Sequence, residues 1–256
     1  MIPSAPDPSA RHPDQSDSPV MRWPLLAALA FALVFPTFIT LLYFVWLAKA
    51  PTGLQQSAYA AGKVAQFAFP LIFALLVERW RPRRPHLAAQ PRGVIAGIII
   101  GLLQFASILA VYSLYLKSRP EVGVLTEEVR RKVTGLGVAG PGSFVVLSLF
   151  YCVVHSLLEE YYWRWFVYGR LRRVCSELPA NVISSLGFMA HHVVVLATYL
   201  GWNSPLVWAG SLAVAVAGSV WAWHYERSSL WGPWIAHVLA DAAIFVIGYH
   251  LLFPAQ

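Results

Sequence analysis

The sequence predicts an all-α integral membrane protein, a polytopic bundle of about seven transmembrane helices, on three observations. Hydrophobic residues make up 58% of the 256 residues and charged ones only 12%, too apolar for ordinary soluble usage. Apolar runs of the length a bilayer needs, about 20 residues each, follow one another with short polar breaks. Arginines gather in short clusters beside those runs, where they set topology.

In chain order, the opening stretch MIPSAPDPSARHPDQSDSPV is rich in Pro, Ser and Asp and nearly free of large apolar side chains. Such a segment cannot bury enough surface to order itself, so residues 1–20 are expected to be a disordered tail. The apolar run after it is long and lacks an A-x-A cleavage site, which marks a first span rather than a removed signal peptide. Spans are expected at about 24–48, 57–77, 93–116, 143–169, 179–200, 204–223 and 231–253, with an eighth left open. Between the third and fourth, residues 118–142 hold Glu127, Glu128, Arg130, Arg131 and Lys132 close together. That is too charged to cross lipid, and the pattern suits a short helix on the membrane surface. The chain thus divides into the tail (1–20), N-terminal helices with the surface helix (21–142), and a C-terminal core (143–256).

Short cytoplasmic loops carry an excess of Lys and Arg. A cytoplasmic N-terminus gives that side Arg11, Arg22, Arg79, Arg81, Arg83, Arg84, Arg92, Arg170, Arg172, Arg173 and Arg227. The other side receives Lys49, Lys117, Arg119, Arg130, Arg131 and Lys132. The N-terminus is therefore expected inside and the C-terminus outside. Trp23, Trp80, Trp202, Trp221, Trp223, Trp231 and Trp234 fall near span ends, as interfacial anchors do. The net charge of +7 is explained by topology, and nucleic acid is not an expected partner. Membrane lipid is. Cys152 and Cys175 define no disulfide framework.

The chemistry lies in the C-terminal half. Ionisable groups at bilayer depth cost about 2.5–3.5 kcal/mol each, so each needs a partner or a purpose. The fourth span carries Glu159, Glu160 and Arg164, the fifth His191 and His192, and the last His237 and Asp241. Residues four apart share a helix face, so Glu160 can pair with Arg164. Glu159 points about 100° away, without that partner, and is the better candidate for a general base. His237 and Asp241 are also four apart, as are Phe188 and His192. With the N-terminus inside, Glu159, His192, His237 and Asp241 lie about 15, 20, 9 and 15 Å from the cytoplasmic ends of their spans. Three separate helices thus bring polar side chains to one layer.

These residues carry a resemblance. Glu159-Glu160-x-x-x-Arg164, then Phe188-x-x-x-His192, then His237-x-x-x-Asp241, resemble the three ordered motifs of the CAAX prenyl protease and bacteriocin-processing (Abi-type) family of intramembrane endopeptidases, over roughly residues 143–245. The resemblance implies an endopeptidase acting on a membrane-anchored protein or peptide. In it Glu159 and His192 activate a water, while His237 and Asp241 stabilise the oxyanion. Glu160 and Arg164 hold the helix in register, and Phe188 belongs to the second motif.

No cofactor is expected. Zinc is the alternative, with Glu159, His192 and His237 as its ligands, although the His-Glu-x-x-His helix that would make zinc the default is missing. His155, four residues before Glu159, could tune that carboxylate, but an ordinary packed histidine is the expectation. His191, turned about 100° from His192, is expected to be hydrogen-bonded or interfacial. His224, Glu226, Arg227 and His250 are expected to be solvated or interfacial, and Tyr161, Tyr162, Trp163 and Trp165 to pack the bundle. The competing class is a non-catalytic transporter or assembly factor with a buried ion network, against which stands the lack of a visible inverted repeat. The Arg-for-Lys bias and compact chain suggest a bacterial inner membrane, where prenylated substrates are not expected.

Overall fold

The computed structural model describes residues 22–79, 90–138 and 140–254. The expected tail at 1–20, and with it Arg11, Trp80, Arg81, Arg83 and Arg84, lie outside the described residues. Among those described, seven helices are long and apolar enough to cross a bilayer. They are α1 (Trp23–Trp46), α2 (Thr52–Leu76), α3 (Pro91–Leu116), α5 (Pro141–Leu171), α6 (Glu177–Leu200), α7 (Pro205–Arg227) and α8 (Trp231–Leu252). The charged segment forms α4 (Pro120–Gly135). The chain is an integral multi-pass membrane protein.

Local chemistry fixes several of these elements. Pro36 inside α1 has no N–H to give the carbonyl of Ala32, a loss that normally leaves a buried acceptor unpaired. The hydroxyl of Tyr162 on α5 donates to that carbonyl at 2.8 Å, so the proline's cost becomes a tie between two helices. Helix α5 is not uniform. Wide i→i+5 turns at Phe150–His155 and Tyr161–Tyr168 flank a short α-helical stretch, Ser156–Glu160. Such insertions re-aim side chains and concentrate at functional sites.

Small residues bring α3 and α8 together. Gly93, Gly97 and Gly101 are four apart on α3 and buried. A Cβ on Gly97 would run into the backbone of Gly232, and one on Gly101 would meet Ala236 Cα at 2.9 Å. Close backbone approach of this kind is how membrane helices gain packing energy where no hydrophobic drive exists. It sets the position of α8, and so of His237.

The two ends of the bundle differ. At one, Glu78 receives Arg170 at 2.8 Å and Arg173 at 2.6 Å, Glu226 pairs with Arg172 at 2.9 Å, and Glu177 with Arg227 at 2.7 Å. At the other, α4 lies across the helix ends. Its Arg130 donates to the Leu252 carbonyl at 3.3 Å, and Gln56 of α2 donates to the Gly135 carbonyl at 3.5 Å.

Two readings need correction. Trp221, expected at an interface, is only 3% exposed and packs in the core. His224, expected to be solvated or interfacial, is buried with its Nε2 2.9 Å from the Gly93 carbonyl. In both cases a neighbouring helix approaches closely enough to replace water, which position along the chain does not reveal. Glu226, partly exposed at the bundle end, is engaged by Arg172 and by the Tyr168 hydroxyl at 2.8 Å.

Candidate active site

Helix α5 presents both glutamates inward. Glu160 is fully buried, and its Oε2 stands 3.1 Å from Nε of Arg164, itself 2% exposed. Arg164 also donates from NH2 to the Gly218 carbonyl at 3.2 Å and lies over the rings of Phe188 and Trp221, 4.9 and 5.2 Å from their centroids. Gly218 is small for a reason: a Cβ there would meet Phe188 at 3.1 Å. The other oxygen of Glu160 accepts a hydrogen bond from His237 Nδ1 at 2.9 Å. Glu160 therefore joins the Arg164 cation to the α8 imidazole and fixes the ring that the third motif supplies.

Glu159, 4% exposed, has a different set of neighbours. Its Oε1 lies 3.4 Å from His155 Nε2 and 3.6 Å from His191 Nε2. Its Oε2 lies 3.7 Å from His237 Nε2, and that nitrogen is in turn 3.6 Å from Asp241 Oδ1. Among the described residues, Nδ1 of His191 has no hydrogen-bond partner, so the ring's polar contact is the one toward Glu159. One carboxylate oxygen thus faces two imidazoles on α5 and α6. The other faces His237 on α8, whose Nε2 also lies beside Asp241.

His191 and His155 stand closer to this carboxylate than expected. The imidazole of α6 paired with Glu159 belongs to His191, which stacks parallel to Trp163 with centroids 5.8 Å apart. His192 stands beside it, with ring centroids 4.2 Å apart. Its Nδ1 lies 2.9 Å from the Phe188 carbonyl. A donor there leaves the Nε2 lone pair free. The 100° between the two histidines is real, but the site wraps more than one side of α6.

Several supporting groups gave no motif signal. Trp221 stacks on His237 with centroids 4.2 Å apart, and its Nε1 donates to Gln104 of α3 at 3.1 Å. Lys63 of α2 holds its ammonium 5.5 Å from the Tyr59 and Phe67 ring centroids. Phe67 meets His155 edge-on at 6.0 Å, and Tyr151 meets the same imidazole at 5.1 Å. The only sequence hint for Lys63 was its charge within an apolar run. Tyr162 and Trp163, expected as packing, are core residues at 0% and 1% exposure.

Among the described residues no three His, Cys, Asp or Glu side chains are grouped to hold a metal ion, and of the three alternative zinc ligands His192 is not among the imidazoles paired with Glu159.

Fold and site together define a class: a multi-pass membrane protein with a buried cluster of carboxylates and imidazoles where α5, α6 and α8 meet. The family model Rce1-like, described as type II CAAX prenyl endopeptidase Rce1-like, matches residues 141–243. That stretch contains all three motifs, and over it the resemblance to the CAAX protease family is shown. It supports a membrane protease at the general level. Comparison with curated proteins and with solved structures gave no match.

Proposed function

We propose that the protein is an intramembrane endopeptidase that hydrolyses a peptide bond of a membrane-anchored protein or peptide with a water activated by Glu159. The observation that carries this reading is the split around Glu159: Oε1 faces His155 and His191, while Oε2 faces His237 Nε2 at 3.7 Å. A carboxylate oriented on one oxygen keeps the other for a proton. A water beside Oε2 loses its proton to Glu159 as its oxygen attacks the scissile carbonyl carbon. The carbonyl oxygen, becoming an oxyanion, accepts hydrogen bonds from His237 and from Asp241 when protonated. The proton then passes to the departing amine, with His192 Nε2 available as a relay. Glu160 positions His237 and is itself neutralised by Arg164.

The N-terminus is assigned to the cytoplasm from the distribution of arginines, and the bacterial inner membrane is the proposed location. Lipid surrounds the bundle.

The test is cleavage of a membrane-anchored peptide by the purified, reconstituted protein. Glu159→Gln and His192→Ala should each cut the rate by about 100-fold or more, and chelators should leave the parent activity intact. Undiminished cleavage in either variant refutes the corresponding role. Proton flux in liposomes that disappears with Glu159→Gln, in the absence of any proteolysis, would replace the protease by a transporter.

A further inference from the structure

A cavity of about 540 Å³ lies between α4 and the ends of α1, α2, α5 and α6. This is within the range of small-ligand sites. Its walls include Tyr43, Tyr59, Tyr151, Tyr199, Gln56 and Lys132. Its wall adjoins the reacting groups: the Tyr151 ring lies 5.1 Å from that of His155, and His155 pairs with Glu159 at 3.4 Å. The walls are mostly aromatic and aliphatic, and Lys132 is the one charged side chain among them. Lys132 places its ammonium 3.9 Å from the Tyr43 ring centroid and 5.1 Å from that of Phe44. The acids of α4 are engaged elsewhere, Glu127 with Arg130 and Glu128 with Arg131. Among the described residues, no carboxylate pairs with Lys132. Burial, followed by the nearby Arg131 charge, pushes its pKa below the ordinary lysine range. A half-buried ammonium held only by ring faces gains strongly from an anion, since charge-assisted hydrogen bonds are about twice as strong as neutral ones.

We propose that this cavity is the substrate-binding subsite, taking a short apolar or aromatic peptide segment whose carboxylate pairs with Lys132. The proposal rests on the protease reading and adds the side from which substrate reaches Glu159: the α4 end of the bundle. The aromatic walls suit leucine- and phenylalanine-type side chains, and Gln56 offers an amide to the peptide backbone. The carboxylate can come from an acidic side chain or from a chain's C-terminus.

Binding is measured with the full-length Glu159→Gln protein in lipid nanodiscs, so that affinity is read without turnover. The probes are three fluorescent pentapeptides of leucine and phenylalanine: one with a central asparagine and an amidated end, one with a central aspartate and an amidated end, and one with a central asparagine and a free carboxyl end. At least one acidic probe should bind about tenfold or more tighter than the neutral one, and which one does so identifies the source of the carboxylate. Adding Lys132→Gln should abolish the preference, and Lys132→Arg should retain it. A benzophenone on the preferred probe should label α4 or the Tyr199 region of the protein with Lys132 intact, a readout that holds even if a Lys132 variant fails to fold. Equal affinity for all three probes, a preference that survives Lys132→Gln, or labelling confined to other surfaces overturns the proposal. Should the preference hold while the parent protein cleaves nothing, the subsite stands and the protease reading falls.

Discussion

Glu159 and Glu160 are the same residue type, adjacent on one helix and equally removed from solvent, yet their surroundings differ in kind. Glu160 is stapled: a guanidinium at 3.1 Å takes one oxygen and an imidazole at 2.9 Å takes the other. Glu159 is held at arm's length by three imidazoles at 3.4–3.7 Å. The first arrangement is spent on geometry, because a carboxylate paired with a buried guanidinium on one oxygen and bonded to an imidazole on the other is fixed in place. The second leaves room for a water and a place for its proton. Role is thus set by partners, not by residue type or depth.

The sharpest way to break this comparison is to remove each charge separately. Glu159→Gln should lower the cleavage rate by about 10²–10⁴-fold with a melting temperature close to the parent's; a large loss of stability with activity retained per folded molecule would reverse the two roles. Glu160→Ala strands Arg164 in the core, and should cost about 3–5 kcal/mol, measured by unfolding in a denaturing detergent. An unchanged unfolding midpoint would show that the staple contributes nothing.

Smaller effects sharpen the account of what positions the pair. Gly97→Ala inserts a methyl against the Gly232 backbone and should destabilise by about 1–3 kcal/mol. Because α8 carries His237, catalysis should suffer with it, and a variant of full stability and activity would detach the α3–α8 contact from the site. Tyr162→Phe removes the donor to the Ala32 carbonyl, with an expected loss of about 0.5–1.5 kcal/mol. That is the smallest change proposed, and it should leave the rate per folded molecule unaltered.

The helices were legible because lipid imposes a length and a composition on each crossing. Starts shift by a few residues where polar groups continue the helix, as Gln55 and Gln56 do inside α2. The Glu160–Arg164 pair was legible too, since a spacing of four puts both on one face. What the sequence could not show are contacts made across helices. Trp221 looks like an interfacial anchor until Gln104 and His237 are placed beside it. A helical wheel turns His191 about 100° from His192, yet α6 carries both adjacent imidazoles into a site that wraps it. The wide turns at Phe150–His155 and Tyr161–Tyr168 also break the 100° step on which such arguments rest. Lys63 gave no pattern because it reaches the cluster from α2, through Phe67 against His155; Tyr151 stands four residues before His155 on α5, but one tyrosine in an aromatic-rich span marks nothing by itself.

The central claim, that Glu159 acts as a base on water and not as the attacking atom, is open to one direct measurement. A single turnover of a membrane-anchored peptide by excess reconstituted protein in ¹⁸O-labelled water, with the new carboxyl terminus read by mass spectrometry, follows the oxygen itself. One ¹⁸O in the product of that first turnover, with none in Glu159, is the predicted result. Unlabelled first-turnover product, with the label appearing in the Glu159 carboxylate, would contradict it.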